Sequence, residues 1–261
     1  MQVLGIDIGS TATKAVVLDG DGAIVAHTVV SLGAGTSGVD KALAALHDEA
    51  GIETDNLACT VATGYGRQTY EGADAQVSEL SCHARGVAYR MPSVRTIIDI
   101  GGQDAKVIRL DANGMMSNFV MNEKCAAGTG RFLDVMAGVL ETTVGELGDL
   151  DAQATEIAEI SSTCTVFAES EVISRLASKE PKENIVAGIH ASVAQRTAGL
   201  AKRLGVQQDV AMTGGVAQNA GVVRALERTL GFSITIPPEP QLNGALGAAL
   251  YALDRAKKAN A

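Results

Sequence analysis

The sequence predicts an α/β protein made of two similar lobes, and three observations lead to that fold class. First, residues 6–22 (IDIGSTATKAVVLDGDG) align without a gap with residues 98–114 (IDIGGQDAKVIRLDANG), with eight of 17 positions identical. Second, patterns typical of strands and of helices alternate along the chain, as in α/β layers. Third, 261 residues with 46% apolar side chains can bury a sizeable core. The duplication therefore predicts two related strand–turn–strand units, one in each lobe.

Each repeat is predicted to fold as a β-hairpin. The outgoing strands, 3–8 and 97–100, are short and apolar and run into glycine-centred turns. The returning strands, 14–18 and 106–110, end in turn signals rich in Asp, Asn and Gly. A third apolar strand at 24–30 is expected to extend the first hairpin.

Helical periodicity predicts the main helices. A helix over 40–50 is expected to face inward with Ala42, Leu43, Leu46 and His47. A helix after residue 131 is expected to do so with Phe132, Leu133, Met136, Val139 and Leu140. A helix after Cys164 is expected to do so with Val166, Ile173, Leu176 and Ala177. Two further helices are predicted at 222–230 and 244–258.

The repeat also suggests where the lobes divide. The first lobe is expected to span residues 1–94, and the second, which carries the second hairpin, residues 95–261. The helix at 244–258 is a candidate to return to the first lobe.

Charge and composition exclude several classes of function. The net charge of −9 repels nucleic acid and anionic lipid, so neither is expected as a partner. No apolar run approaches the roughly 18 residues of a membrane span, and no basic leader opens the chain, so a cytoplasmic location is expected. The histidines (27, 47, 83 and 190) lack ligand spacing and are interpreted as structural or surface groups.

The two hairpin turns have the chemistry of phosphate-binding loops. Glycines let the backbone approach an anion, and hydroxyl groups add donors. The residues that would bind phosphate are Gly9, Ser10, Thr11, Ala12, Thr13 and Lys14 in the first turn, and Gly101, Gly102 and Gln103 in the second. Lys106, in the second hairpin, is explained equally well as part of the phosphate site and as a solvated strand end.

Each hairpin also carries an acid at the end of its first strand. Asp7 and Asp99 are therefore the candidate Mg²⁺ ligands. The group that orients the water for hydrolysis stays open among Asp7, Asp99, Gln103 and Asp104.

A third glycine-rich element follows an apolar strand at 210–213. A backbone with two adjacent glycines can lie flat against an adenine ring, although this signal is weak by itself. The nucleotide-contact candidates here are Gly214, Gly215, Gln218 and Asn219, with Gln241 in the proline-rich loop that follows.

In order and chemistry, IDIGSTATK, IDIGGQDAK and the TGG turn at 213–215 resemble the phosphate-1, phosphate-2 and adenosine motifs of the actin, sugar-kinase and heat-shock-chaperone ATPase superfamily. The resemblance implies two RNase-H-like lobes, the actin-like ATPase fold, with ATP and Mg²⁺ in a cleft between them. No Walker A or dinucleotide-binding glycine motif is present in the sequence.

Two of the four cysteines carry further information. Cys125 and Cys164 lie in Gly/Ser/Thr-rich segments at or just before predicted helix starts, a setting that stabilises thiolates. Spacing alone would still favour two buried cysteines. However, KCAAGTGRFLD and SSTCTVFAESEVIS resemble the cysteine signatures of the activator ATPases of 2-hydroxyacyl-CoA dehydratases, in particular the activators of (R)-2-hydroxyglutaryl-CoA dehydratase. ATGYGR at 62–67 and SELSCHA at 78–84 resemble other stretches of that family.

That resemblance implies one [4Fe–4S] cluster shared by a homodimer, with Cys125 and Cys164 as ligands, while Cys59 and Cys82 remain core residues. It also implies that reduced flavodoxin or ferredoxin loads the cluster. ATP hydrolysis to ADP then drives one electron into the dehydratase, where a ketyl radical allows loss of water.

Three other interpretations remain open from the sequence. One is the electron-activation component of a benzoyl-CoA reductase-type complex. Another is a cluster-free sugar or acyl kinase, and the third is an ATP sensor without catalysis.

Overall fold

The computed structural model describes residues 1–122, 125–160 and 164–259. Lys124 and residues 161–163, which belong to the two cysteine motifs, lie outside the described residues. The strands are β1 Val3–Ile8, β2 Thr13–Leu18, β3 Ile24–Val30, β4 Thr60–Thr63, β5 Ala75–Gln76, β6 Thr96–Ile100, β7 Ala105–Leu110, β8 Met116–Asn122 and β9 Val210–Thr213. The helices are α1 Gly38–Ala50, α2 Glu79–Arg90, α3 Gly130–Val139, α4 Leu147–Ala152, α5 Thr165–Ala177, α6 Lys182–Leu204, α7 Ala220–Leu230 and α8 Asn243–Ala259.

The chain forms two compact units. The first contains residues 1–94, 110–117 and 241–261, and the second contains residues 95–109 and 118–240. The sequence-based division placed 95–261 in one lobe, with the helix at 244–258 as a candidate to return to the first. That helix does group with the first unit, as part of 241–261, and residues 110–117 group with it as well.

The first unit is built on a five-stranded sheet in the order β3-β2-β1-β4-β5. Strand β1 pairs antiparallel with β2 and parallel with β4, so it lies at the centre of the sheet. Every residue of β1 is buried, because alternate side chains enter apolar clusters on the two faces of the sheet. This explains why the sequence of β1 is a nearly unbroken apolar run.

The second unit repeats this arrangement in a four-stranded sheet, β8-β7-β6-β9. Strand β6 pairs antiparallel with β7 and parallel with β9, as β1 pairs with β2 and β4. Both predicted hairpins are confirmed, with strand ends within one residue of those expected. The mixed α/β class is confirmed as well.

Helix α8 packs on β1 and α2 within the first unit, and small residues let the backbones approach closely. A Cβ on Gly5 would overlap the backbone of Ala245 and Ala249 on the helix. A Cβ on Gly247 would overlap the carbonyl of Cys82 in α2. This tight stack holds β1, and with it the turn that follows β1, against the helical layer.

Two predicted helix faces are wrong in part. His47 is exposed and pairs with Glu53 at 3.4 Å, because α1 buries only the narrow stripe around Ala42 and Leu46. Of the face expected for α5, Leu176 does pack against the core, whereas Val166 and Ile173 are 65% and 52% exposed and Ala177 is exposed. The helix buries Ala168 and Val172 instead.

No helix among the described residues is both long enough and apolar enough to cross a membrane.

We expect Gly5→Ala to lower the free energy of unfolding by about 3 kcal/mol, since a methyl group there must displace helix backbone. Gly199→Ala is the matched control, because Gly199 lies in α6 with nothing within 4 Å of the added Cβ. Gly199→Ala should raise the free energy of unfolding by about 0.5–1 kcal/mol, because alanine has a higher helix propensity than glycine. Urea unfolding followed by circular dichroism measures both values, and equal effects would contradict the packing described here.

Candidate functional site

The first hairpin holds a buried carboxylate beside a lysine. Asp7 is 6% exposed, lies opposite Lys14 in the β1–β2 register, and accepts a 3.1 Å hydrogen bond from its Nζ. The turn that follows is closed by the Gly9 N–H, which donates to the Ala12 carbonyl at 3.0 Å. Ser10, Thr11 and Ala12 are partly exposed in this turn, while Thr13 is buried and donates to the Leu32 carbonyl.

The second hairpin reproduces this geometry. Asp99 is 2% exposed, lies opposite Lys106, and is 3.5 Å from its Nζ. Lys106 also forms an ion pair with Asp104. The turn is closed by the Gly101 N–H, which donates to the Asp104 carbonyl at 2.9 Å, with Gly102 partly exposed and Gln103 exposed.

The structure decides between the two interpretations of Lys106. Its side chain is 5% exposed and lies between two carboxylates, so the interpretation as a solvated strand end is wrong. Lys14, with a side chain 17% exposed, is likewise directed at its acid. Each lysine therefore neutralises a strand-end aspartate, because a buried carboxylate without a partner would be strongly disfavoured.

Sequence analysis missed a third part of the repeat. Thr63 pairs with Asp7 across the parallel strands β1 and β4, and Thr213 pairs with Asp99 across β6 and β9. Each threonine precedes a glycine with positive φ, 85° at Gly64 and 86° at Gly214. The signal was present in the sequence, since ATG at 62–64 and MTG at 212–214 both follow short apolar strands.

These glycines allow the chain to pass directly beside the acids. A Cβ on Gly64 would overlap the carboxylate of Asp7, and one on Gly214 would lie 3.1 Å from Asp99 Oδ1. The positive φ values also favour glycine at both positions. The two threonines differ, because Thr213 donates to Asp99 at 2.7 Å, whereas Thr63 Oγ1 is buried without a partner among the described residues.

The segment after β9 contains the predicted adenosine motif. Gly215 and Gln218 are exposed, whereas Asn219 is 8% exposed and caps helix α7. Gln241, partly exposed, belongs to the first unit.

A buried polar network surrounds Asn219. Its amide nitrogen lies 3.2 Å from Nε2 of His190, and Nδ1 of that ring lies 3.1 Å from Asp151. Arg224 donates to the other oxygen of Asp151 at 2.6 Å. Burial opposes ionisation of Asp151, but the hydrogen bonds from His190 and Arg224 outweigh it and lower the pKa of this carboxyl. Spacing along the sequence did not reveal this cluster, because its members come from separate helices.

The informative cysteines lie at or before the start of two helices that pack on each other. Cys164 is the N-cap of α5, and Cys125 lies in the loop before α3. Both are free thiols of intermediate burial. Among the described residues, no three His, Cys, Asp or Glu side chains converge as a metal site.

Helix α3 is also joined to the second phosphate turn. The N–H of Gly130 donates to the Gly101 carbonyl at 2.9 Å, and that of Arg131 donates to the Gly102 carbonyl at 2.8 Å. The first turn of the helix after Cys125 is therefore held by the backbone of the predicted phosphate-binding turn.

Cys59 and Cys82 are core residues, as the sequence predicted. They are 5% and 0% exposed and lie in the apolar cluster formed with α8. Burial raises the pKa of the Cys82 thiol to about 12, and burial followed by nearby Asp74 raises the pKa of Cys59. Neither of these two buried thiols forms a thiolate readily.

Comparison with known proteins places the chain in a family. Residues 4–252 match the BadF/BadG/BcrA/BcrD ATPase family. The (R)-2-hydroxyglutaryl-CoA dehydratase activating ATPase of Acidaminococcus fermentans is 57% identical over 99% of both chains. The activator of lactoyl-CoA dehydratase of Anaerotignum propionicum is also 57% identical, over 99% of this chain and 100% of its own. The chain therefore belongs to the BadF/BadG/BcrA/BcrD ATPase family.

The structure agrees with that assignment. The activator of the 2-hydroxyisocaproyl-CoA dehydratase from Clostridium difficile, solved with bound ADPNP, superposes with a TM-score of 0.98 at 56% identity, covering 100% of this chain and 97% of that one. A glucokinase of the ROK family from Streptomyces griseus shares the fold alone, with a TM-score of 0.58 at 15% identity over 97% of this chain and all of its own. The actin-like ATPase fold predicted from the motifs is thus confirmed.

A more distant relative of this chain comes from a benzoyl-CoA reductase, the enzyme in one of the alternative interpretations. One component of the benzoyl-CoA reductase of Thauera aromatica is 32% identical over 84% of this chain and 79% of its own length.

We expect the folded, iron-free protein to show about two fast thiols per chain toward Ellman's reagent at pH 8, at Cys125 and Cys164. The buried pair, Cys59 and Cys82, should react roughly tenfold or more slowly, because both thiols are covered by the core and burial raises the pKa of each. A double variant with Cys125→Ala and Cys164→Ala should lose the fast phase. Four equally fast thiols in the native protein would contradict the burial described here.

Proposed function

From its place in this ATPase family, we propose that the chain activates a 2-hydroxyacyl-CoA dehydratase by coupling ATP hydrolysis to the delivery of one electron. The observation that carries the proposal is the link, inside one unit, between a phosphate-type turn and the helix that follows Cys125. Relatives named as activators of such dehydratases, similar over their full length, support it.

In this proposal the two hairpins bind the phosphates of ATP. Backbone N–H groups and hydroxyls of Ser10 and Thr11 would donate to phosphate oxygens, since both turns lack bulky side chains. Asp7 and Asp99 would hold Mg²⁺ directly or through water, as hard carboxylate ligands do. Lys14 and Lys106, already paired with these acids, would turn toward phosphate when the cation takes over their neutralising role. The exposed Gly215 and Gln218 would contact the adenosine, with Gln241 from the loop before α8.

The cysteines fit a [4Fe–4S] cluster shared by two copies of the chain. Two half-buried thiols, one at the start of α5 and one in the loop before α3, offer two ligands per chain, and such a cluster needs four. A twofold homodimer supplies the other two, because the same surface then faces itself. When bound, the cluster supplies one-electron transfer.

The exposed face of α5 supports a contact with the second copy. Val166 and Phe167 are each 65% exposed and lie two and three residues after Cys164, and Ile173 lies about two turns further along. When large exposed apolar side chains are grouped on one helix, they more often form an interaction surface than stay in contact with solvent.

The remaining partners follow from the same function. Reduced flavodoxin or ferredoxin would be the electron donor, and the dehydratase would be a transient partner in the cytoplasm. A permanent benzoyl-CoA reductase-type complex is less well supported, since the relative from that enzyme is the more distant one.

We expect Asp99→Asn to lower the rate of Mg²⁺-dependent ATP hydrolysis about 100-fold, because the cation loses a charged ligand. Asp111→Asn is the matched control from the same repeat. Asp111 is exposed and accepts from the N–H groups of Asn113 and Met115, which an amide oxygen can still do. Phosphate release at saturating ATP measures both variants, and an unchanged rate in Asp99→Asn would remove this residue from the Mg²⁺ site.

We expect about four Fe per dimer in anaerobically purified protein, with a visible absorption band. Cys164→Ala and Cys125→Ala should each abolish iron binding, while Cys59→Ala should retain it because that thiol lies in the core. Iron analysis together with the mass in solution gives the ratio. Four Fe per monomer would rule out a cluster shared between two chains.

A further inference from the structure

Asn219 was a candidate for direct contact with the nucleotide, but its side chain is directed into the second unit. Its carbonyl oxygen accepts the N–H groups of Gly221 and Val222, at 3.0 and 3.2 Å. Because that oxygen is occupied, the amide nitrogen must face His190, 3.2 Å from Nε2. Both ends of the side chain are therefore engaged inside the protein.

This contact fixes the protonation of the histidine. The Asn219 amide nitrogen can only donate, so Nε2 of His190 must accept and carry no proton. The ring proton then lies on Nδ1, where it is donated to Asp151 at 3.1 Å. Arg224 completes the network by donating to Asp151 at 2.6 Å and to the Gly148 carbonyl at 3.0 Å.

The surroundings leave the imidazole no freedom to move. His190 is 0% exposed, and a Cβ on Gly221 would overlap its ring. Helices α4, α6 and α7 thus meet at one polar network, which ends on the residue directly after the Gly215–Gln218 turn. In a buried site, each such hydrogen bond holds its partner in one rotamer.

We propose that Asp151 and His190 are positioning residues for adenosine recognition. A neutral His190, protonated on Nδ1, fixes the side chain of Asn219 and thereby holds the Gly214–Gln218 turn in the form that binds the adenine nucleoside of ATP. This inference rests on the proposed ATPase function. It assigns part of the protein's affinity for ATP to residues that do not touch the nucleotide. The turn begins with two glycines, and Asn219 follows its last residue. Because His190 accepts the N–H of Asn219, it fixes the side chain at the C-terminal end of the turn.

Two variants of His190 and one control test the proposal. His190→Leu removes both hydrogen bonds and should raise the Kd for ATP about tenfold while largely retaining kcat at saturating ATP. His190→Gln should stay within about twofold of the native Kd, since an amide can donate to Asp151 and accept from Asn219. Thr197→Val is the matched control. Thr197 lies in the same helix, 1% exposed, and its Oγ1 has no partner among the described residues.

Equal Kd values for the native protein and His190→Leu would overturn the proposal. So would equal losses in His190→Leu and His190→Gln, or a loss in Thr197→Val, because these would point to ring shape or general helix packing. Fluorescent ATP titration of the anaerobic, full-length protein gives the Kd, and thermal unfolding checks that each variant is folded.

A second measurement needs no variant. Nitrogen-15 NMR of the native protein should show His190 neutral, with the proton on Nδ1, and a proton on Nε2 would overturn the proposal. If the native protein binds no ATP, the proposed function fails, whereas the NMR result tests the hydrogen-bond network independently.

Discussion

Each unit depends on a carboxylate buried at the end of its central strand. Asp7 and Asp99 are almost completely covered, and a buried charge without a partner is strongly disfavoured. A lysine on the antiparallel neighbour neutralises each acid, and a Thr-Gly step on the parallel neighbour passes beside it. The central strand therefore needs one neighbour of each direction, which explains why the same three-strand arrangement is present twice.

Close backbone contact determines how precisely these acids are held. Glycines at positions 5 and 247 bring α8 against β1 and α2, and Gly64 and Gly214 bring the chain against the carboxylates. Side chains at these points would push the layers apart, and the turns would then lose their positions relative to the acids. At these four positions glycine is therefore required by close packing.

In the second unit, hydrogen bonds join the candidate site residues to neighbouring helices. The turn at Gly101 and Gly102 accepts the first N–H groups of α3, the helix that follows Cys125. Asn184, near the start of α6, accepts the N–H groups of Thr155 and Glu156, in the segment that leads toward Cys164. The same helix carries His190, which faces Asn219. Hydrogen bonds thus connect the turn at Gly101 and Gly102 to the start of α3, and α6 to the segment before Cys164.

The sequence by itself determined the duplicated hairpins, the strand-end acids and the glycine-rich turn after β9. These follow from local pattern, because strand periodicity and turn chemistry act between residues close in the chain. Only the tertiary structure decided that Lys106 is buried, that α5 exposes Val166 and Ile173, and that Asp151, His190 and Asn219 form one network. Each of these depends on which elements pack together, and residues 151, 190 and 219 meet only when three helices converge. A helix with apolar residues all around it can bury either face, so periodicity alone could not orient α5.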